Sequence, residues 1–591
     1  MIIEKKIINL LKKIGVSGTF EFTAPPNPEM GDLAFACFDL AKEMKLSPVE
    51  VAKDIVNKLR TSCHSRHAYW QAGAGGNLVK KNKIPPDIIS GGMTALIDKV
   101  EATGPYVNFY LKTAELADLV LPEVEKKNFG ENNIGKNKKV LIEYPSQNTH
   151  KEFHVGHLRN ACIGNSMVGL MRKSNYKVIP INYINDFGAH VVKCLWYIEK
   201  FSKQAPVEDK QKWLGEIYAE ANNYIKEHKE VETELAEYQK KLESKDPEVM
   251  KLFQETKQWS IEGFDKIHHE LGIEHKEVFF ESEIKKKGQK IVDKLLKKKI
   301  AEVGERGAII VDLNKYNLDI ALLRKATGAG LYITSDLALA EEKFKKIKVD
   351  ESINITGTEQ NFYFKQLFKI LELSGFKNKL THIGYGLVNR PDGKMSSRLG
   401  NVILYEDLRD EIYTKLFQET QKRHEDWSED KIVDTTKILT QAILKFTMLK
   451  HEAEKNVTFD IKEAVSIEGF SAPYVLYSVA RINSLIKKAE KLEKRKIDYS
   501  LLDKPEEKKL ILQIANYGKM IEKAWGNYNP SVMIRYCFEL AQSFNDFYNK
   551  QQIIDEENIE LTLTRLALAR AVHDVLVDAL NILSIKTVEE M

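Results

Sequence analysis

The chain lacks any uninterrupted apolar run near the roughly 20 residues that a membrane-spanning helix needs. It is also poor in cysteine, with five in 591 residues: Cys37, Cys63, Cys162, Cys194 and Cys537. They are odd in number, widely spread and form no CxxC pair, which disfavours a disulfide framework or a zinc ribbon. Cys63, His64 and His67 come nearest to a metal cluster, but no second cysteine pair follows, and no metal site is expected. Charge of one sign is missing too: 89 basic residues face 85 acidic ones, for a net +4. Whole-chain charge therefore selects no partner, although local patches can still meet nucleic acid. The start, MIIEKKIINLLKKIG, has the pattern of an amphipathic helix. Its acid and lysines break any apolar core and no small-residue cleavage site follows, so no secretory signal and a cytoplasmic location are expected.

What is present is an ordinary globular mixture, 43% hydrophobic and 29% charged. That excludes a disordered or collagen-like chain. The length allows about four domains, and four regions can be read. Residues 1 to about 59 mix amphipathic helix with a short apolar stretch. In LSPVEVAKDIVNKL the apolar positions recur at helical spacing, and Ser47 with Pro48 forms a helix start. Residues 60–95 hold five glycines and a double proline with almost no periodicity, and read as a loop insertion. Strand-like alternation returns in LIDKVEATGPYVNFYLK, broken by a Gly-Pro turn. From about 138 to 405, KVLIEY, KVIPINYIN, GAIIVDL, SINITG and HIGYGLV alternate with helical stretches, predicting a doubly wound parallel sheet. Charged helical patterns at about 195–300 read as insertions on it. Residues 406–591 are helical almost throughout and predict a bundle.

Two stretches carry chemistry. In IEYPSQNTHKEFHVGHLRN, residues 142–160, a strand ends and a helix begins near His154-Val155-Gly156-His157. His154 and His157 are three apart and share a helix face. A helix N-terminus offers free N–H groups and a favourable dipole to phosphate, and Gly156 leaves room for a flat base or ribose on the backbone. Neutral or protonated imidazoles can both donate to phosphate oxygens. Two histidines could simply start an ordinary helix, but the preceding strand, Lys151 and Arg159 favour an ATP site. The second stretch is GKMSSRLGN, residues 393–401, after an Arg-Pro-Asp-Gly turn. Lys394 in a small-residue loop can place an ammonium on a leaving pyrophosphate.

HVGH with KMSSR resembles the paired HIGH and KMSKS signatures of class I aminoacyl-tRNA synthetases. Within that class, PSQNTHKEFHVGHLRN, LLRKATGAGLYITSDLALA, GKMSSRLGNVILYEDL, APYVLYSVARI and LTRLALARAVHDVLVDALNIL resemble arginyl-tRNA synthetases. The resemblance covers nearly everything outside 60–95. It implies an α/β Rossmann-type parallel-sheet catalytic domain at 138–405 with helical insertions at about 195–300. An α+β N-terminal tRNA-binding domain at 1–115 would precede it, and an all-α anticodon-binding bundle at 406–591 would follow. It further implies ATP with Mg2+, L-arginine and tRNA(Arg) as partners; no membrane partner and a monomer are expected.

By the same resemblance His154, His157, Lys394 and Lys151 are the catalytic set, and Gly156, Met395, Ser396 and Arg398 join the histidines around ATP. Glu143, Asn148, Tyr332, Asp336 and Gln360 would hold arginine. Carboxylates, a phenol and amides suit a planar, always-charged guanidinium with five donors. Asn108, Tyr110, Tyr474, Arg481, Tyr536, Asn545 and Tyr548 are candidates to meet tRNA, since single-stranded bases want aromatic platforms and polar edge readers. Three departures stand out. Phe187 and His190 occupy NDFGAH where the family usually has a tryptophan and a glutamine. Tyr363 replaces a common histidine, and Arg398 closes a KMSSR that lacks the second lysine. Lysine-rich runs at 285–299 and 487–496 read as solvated helix faces that could also meet RNA phosphate. Three rivals share parts of this pattern: a class I ligase for another amino acid, an inactive RNA-binding relative, and an HxGH nucleotidyltransferase without tRNA.

Overall fold

The computed structural model describes residues 2–63, 96–328, 330–391, 403–490, 492 and 495–591. Most of the glycine-rich stretch at 60–95, with His64 and His67, lies outside them. So do Lys394, Met395, Ser396 and Arg398 and part of the run at 487–496. The chain packs as two compact units, Met1–Gly130 with Ser478–Lys519 and Glu539–Leu576, and Glu131–Tyr477 with Met520–Phe538 and Val577–Met591.

The first unit opens with α1 (Ile2–Lys13), which buries Ile3, Ile7, Leu10 and Leu11 on one face as its period predicts. A four-stranded antiparallel sheet follows, built from β1 (Phe22–Thr23), β2 (Leu33–Ala36), β3 (Ile97–Thr103) and β4 (Tyr106–Leu111) in the order β1-β2-β4-β3. Helices α2 (Phe38–Met44) and α3 (Pro48–Cys63) lie between β2 and β3, and α4 (Thr113–Val124) follows β4. Ser47 starts α3 as predicted: its Oγ accepts from Glu50 N at 3.2 Å, and Glu50 Oε2 accepts from Ser47 N at 3.2 Å. The Gly-Pro turn joins β3 to β4 through Gly104 at φ +56°. Val107, Phe109 and Leu111 alternate into the core.

The second unit is organised by a parallel sheet. In chain order its elements are β5 (Lys139–Glu143), α5 (Val155–Lys173), β6 (Lys177–Ile184), α6 (Ala189–Lys200), α7 (Lys210–Glu227), α8 (Glu232–Ser244), α9 (Pro247–Leu271), β7 (Glu277–Phe280) and α10 (Glu281–Lys297). Then come β8 (Glu302–Val303), β9 (Ile309–Asp312), β10 (Ile320–Arg324), α11 (Tyr332–Lys346), β11 (Glu351–Gly357), α12 (Asn361–Ser374) and β12 (Lys379–Tyr385). The sheet order is β12-β11-β5-β6-β7, with every neighbour parallel. Helix α5 packs on β5, β6 and β11. Leu141, Ile181 and Phe279 face a core shared with Ile284, Val292, Leu337 and Leu367 of α10, α11 and α12. Helices on both faces make the doubly wound sheet that the alternation predicted. Described residues beyond 405 form helices, with one short strand at Val457–Thr458.

Two local expectations are corrected. GAIIVDL does not join the parallel sheet: β9 pairs antiparallel with β8 and β10 in a separate three-stranded sheet. Only one face of that small sheet is covered, and Ile320 and Leu322 of β10 remain exposed, so an apolar run there does not mean burial on both sides. The stretch at 195–300 is not wholly an insertion either. Its helices α6–α9 form a core of their own around Val192, Trp196, Tyr238 and Phe253, but β7 supplies the edge strand of the main sheet. Of the lysines at 285–299, Lys285 and Lys287 form ion pairs with Glu243 and Glu342.

Close packing fixes where α5 lies. A Cβ on Gly164 would overlap the ring of Tyr144, and a Cβ on Gly169 would overlap the carbonyl of Ile582. Residues near the C-terminus thus seat directly on α5, and Asn165 Nδ2 adds a 2.8 Å hydrogen bond to Ser584 Oγ. Gly169→Ala should destabilise this unit by roughly 1–3 kcal/mol, because a backbone carbonyl cannot step aside as a side chain can. Gly526→Ala, with open space around it, should stay within about 0.5 kcal/mol of the parent. Denaturant unfolding of the two variants checks the contrast.

Candidate active site

Strand β5 is where the sheet reverses. The chain passes from β5 to β6 and β7 on one side, then returns to β11 and β12 on the other. Such a reversal opens a crevice at the C-terminal ends of the diverging strands. A solvent-open cleft of about 650 Å³ lies there. Lys151, His154, His157 and Asn148 line it from the loop and helix after β5. Glu143 lines it from the end of β5, Tyr332 and Asp336 from α11, and Gln360 from the turn after β11. Positions spread over more than 200 residues thus meet in one place.

The loop between β5 and α5 is heavily braced. Ser146 and His150 both hold positive φ, +58° and +61°, a conformation side chains adopt only when surroundings enforce it. His150 is fully buried, with its Nε2 2.9 Å from Thr256 Oγ1 and its backbone N donating to Ser260 Oγ at 3.0 Å. His154 then caps α5. Its Nδ1 accepts from Gly156 N at 3.1 Å and His157 N at 3.4 Å, and His157 Nδ1 accepts from His154 N at 3.3 Å. The two imidazoles stack with centroids 3.7 Å apart.

This geometry limits which groups of the helix start remain open. Two of its N–H groups are already satisfied by the His154 ring, so they are not open to an anion. Each ring uses Nδ1 as an acceptor, which leaves the proton of the neutral imidazole on Nε2. Burial, and then Lys151, push the His154 imidazole down to about 4. Burial, His154, Lys151 and His268 push His157 well below its usual range. Both are neutral Nε2–H donors near pH 7. Gly156 has a task that residue order does not show. A Cβ there would come within 2.9 Å of His154 Cε1, so the missing side chain also lets the imidazole fold back onto the helix. Residues from 403 on meet this helix start: Val155 N donates to Ile403 O at 3.0 Å and Tyr405 N to Phe153 O at 2.9 Å.

The other wall is acidic. Asp336 is half-buried and accepts a hydrogen bond from Tyr363. Burial, followed by repulsion from Glu143, raises its carboxyl to about 6 against that bond and the Lys343 ammonium. Glu281, at the start of α10, also lines the cleft. Burial, then Asp336 and Asp186, raise it to about 8. Two carboxyls raised by burial and by neighbouring negative charge, Glu143 on Asp336 and Asp336 on Glu281, form a site suited to a cation. Glu143 differs, because the buried Lys343 ammonium forms an ion pair with it. Sequence reasoning missed Glu281 and Lys343. Glu281 heads a lysine-rich stretch that reads as a solvated face. Lys343 stands seven residues after Asp336, two turns along the same helix face, and that spacing was a usable signal.

The remaining candidates divide. His190 lines the cleft, its Nε2 3.3 Å from Asn185 O, and burial lowers it to about 4. Phe187 lies under Lys285, whose Nζ is 4.5 Å from the ring centroid. Arg481, Asn545 and Tyr548 cluster in the first unit: Arg481 Nη1 donates to Asn545 Oδ1 at 2.6 Å and its guanidinium lies 4.6 Å from the Tyr548 ring centre. Tyr110 donates to Glu29 O at 2.9 Å. Asn108 is buried and donates to Thr103 Oγ1 at 3.1 Å. Tyr536 is buried, and Tyr474 packs on Phe538.

Comparison with known proteins agrees with this layout. The family described as class I (R) tRNA synthetases, catalytic domain, matches residues 120–461. The DALR anticodon-binding domain matches 475–591, and the arginyl-tRNA synthetase N-terminal domain matches 1–73. An arginine–tRNA ligase of Clostridium botulinum is 34% identical over 579 residues, spanning 96% of this chain and 95% of the relative. This chain belongs to the arginine–tRNA ligase family. A Bdellovibrio bacteriovorus ligase is 32% identical over 96% of this chain and 93% of its own length. The Thermus thermophilus arginyl-tRNA synthetase superposes with a TM-score of 0.80 at 21% identity, over 100% of this chain and 99% of that one. A Mycobacterium tuberculosis methionyl-tRNA synthetase shares the fold at a TM-score of 0.52 and 9% identity, over 76% of this chain and 91% of that one. The class I catalytic domain implies ATP use.

Gly156→Ala should leave folding nearly intact yet lower kcat for ATP-dependent amino-acid activation. Displacing a catalytic group by about 1 Å can cost on the order of a hundredfold in rate. Steady-state kinetics beside a melting curve checks this, and an unchanged kcat would remove the ring-seating role of Gly156.

Proposed function

We propose that the cleft activates L-arginine with ATP and that the arginyl group then passes to the 3' end of tRNA(Arg). The observation that carries this reading is the division of one cleft into a wall of neutral imidazole donors and a wall of uncompensated carboxyls. The guanidinium would sit at Asp336 and Glu281, with Tyr332 beside them. Asn148 and Gln360 would hold the α-amino and carboxyl groups, and Glu143, held by Asn354 and Lys343, would shape the cleft behind them. The carboxylate oxygen then attacks the α-phosphorus and the bond to pyrophosphate breaks. The Nε2–H groups of His154 and His157, with Lys151, would meet charge gathering on the phosphates. Each such donor is worth about 3 kcal/mol in other enzymes. Lys394, with Met395, Ser396 and Arg398, would act on the leaving pyrophosphate by family resemblance. In the second step a ribose hydroxyl of the terminal adenosine attacks the arginyl carbonyl and AMP leaves.

Mg2+ would arrive on the ATP phosphates. The groups around His154 and His157 are nitrogen and amide donors, a poor set for a hard cation, and no metal-holding cluster of acids, histidines or cysteines exists among the described residues. We also assign residues 1–115 and 406–591 to tRNA contact, with Arg481, Asn545 and Tyr548 as the best-supported cluster. No helix among the described residues is long and apolar enough to cross a membrane, and a cytoplasmic, monomeric translation enzyme is the reading we adopt.

Pyrophosphate exchange with each of the protein amino acids, with and without tRNA, tests this. Exchange with arginine alone is expected, and exchange with another amino acid would overturn the pocket assignment. A pH series sharpens it. Asp336 at about 6 and Glu281 at about 8 must lose protons to hold a cation, so the KM for arginine should fall as pH rises from 6 to 8. The KM for ATP should stay nearly flat there, because the imidazoles beside it titrate lower.

A further inference from the structure

We propose that Lys343 is a positioning residue for amino-acid selection: its buried ammonium pairs with Glu143 and so leaves Asp336 and Glu281 as the cleft's acidic wall without an ion-pair partner. The inference rests on the arginine-activating reading above. Lys343 and Glu143 have side chains only 3% and 5% exposed. Glu143 is fully engaged: Asn354 Nδ2 donates to its Oε1 at 3.0 Å, and its Oε2 is shut from solvent facing the lysine. Strands β5 and β11 place Glu143 and Asn354 directly opposite each other, so this carboxylate cannot swing away.

Stability does not explain the pair. A buried ion pair gains about as much as it loses in desolvation, and an apolar pair of similar volume does as well. Its place in the cleft does explain it. Arginine brings two cationic groups, the α-ammonium and the guanidinium. With Glu143, Asp336 and Glu281 all uncompensated, the guanidinium would find negative charge at either end, and the α-carboxylate would be held in more than one register. With Lys343 on Glu143, the strong cation site exists at one end only. The reacting carboxylate then faces His154 and His157, which is the entropic part of catalysis. The groups that share this field are Asp186, Glu281 and Lys285 near α10, Tyr183 on β6, Asp336 on α11 and Tyr363 on α12.

The test compares Lys343→Gln and Lys343→Arg with wild type by arginine-dependent pyrophosphate exchange in the presence of tRNA, across pH, with melting curves alongside. Lys343→Gln should raise the KM for arginine by on the order of tenfold or more, as expected for one lost charge compensation in a buried site, and leave the KM for ATP unchanged. It should also move the pH at which the arginine KM falls upward, because Lys343 helps keep Asp336 ionised. Lys343→Arg should keep the wild-type pH profile. A Lys343→Gln variant with an unmoved profile, whether or not kcat drops, overturns the inference. If Lys343→Gln does not fold, Lys343→Arg decides: a wild-type profile supports the inference and a shifted one overturns it. Wild type inactive with arginine would sink the proposed function instead, so the two failures are distinct.

Discussion

The position of β5 governs the rest of the active unit. A parallel strand whose neighbours are filled from opposite directions leaves a crevice at its C-terminal end, since the chain cannot cover both sides of that edge. Glu143 ends β5, Asn354 sits opposite on β11 and α5 starts ten residues beyond Pro145. The paired histidines, the cleft's amide side chains and the acidic wall all take their places from that reversal. Helix α5 is held there by glycines that admit Tyr144 and the Ile582 carbonyl against its backbone. The chain near its C-terminus is therefore part of the support for the site.

Inside the cleft, charge is sorted by burial and pairing. One wall has rings that stay neutral through burial and a neighbouring lysine. The opposite wall has carboxyls whose ionisation is held back by burial and by neighbouring negative charge. In the proposed reading these states are complementary: one wall would offer neutral donors to phosphate, and the other would take a guanidinium. Neither wall supplies a covalent nucleophile, and adenylation needs none, because the substrate carboxylate attacks directly.

In the motif, the structure adds contacts that residue order does not show. His154 and Gly156 do belong to the start of a helix beside the cleft, as their order in the chain predicts. Yet the helix N–H groups go to an imidazole, and the glycine accommodates that same ring. A pattern such as HVGH reports which residues are near one another; it does not report which nitrogen accepts a hydrogen bond. The strand GAIIVDL is a similar case, since its apolar run fits a two-sided burial that the small antiparallel sheet does not provide.

Local periodicity and the paired motifs by themselves determined the α/β class, the amphipathic first helix, the Ser47 start of α3, the Gly-Pro hairpin and the loop that carries His154 and His157. All of these depend on contacts within a few residues, which sequence order encodes directly. Family resemblance extended that reading to Glu143, Asn148, Tyr332, Asp336 and Gln360, and the fold brings them together. Only the tertiary structure decided that β7 completes the sheet, that Glu281 joins Asp336, that Lys343 closes on Glu143 and that Asn108 and Tyr536 turn inward. A lone acid in a lysine-rich helix and a lone lysine in an amphipathic one look solvated in sequence. Their ionisation and role are set by which distant carboxylates the packing places beside them, and that is a property of three-dimensional burial alone.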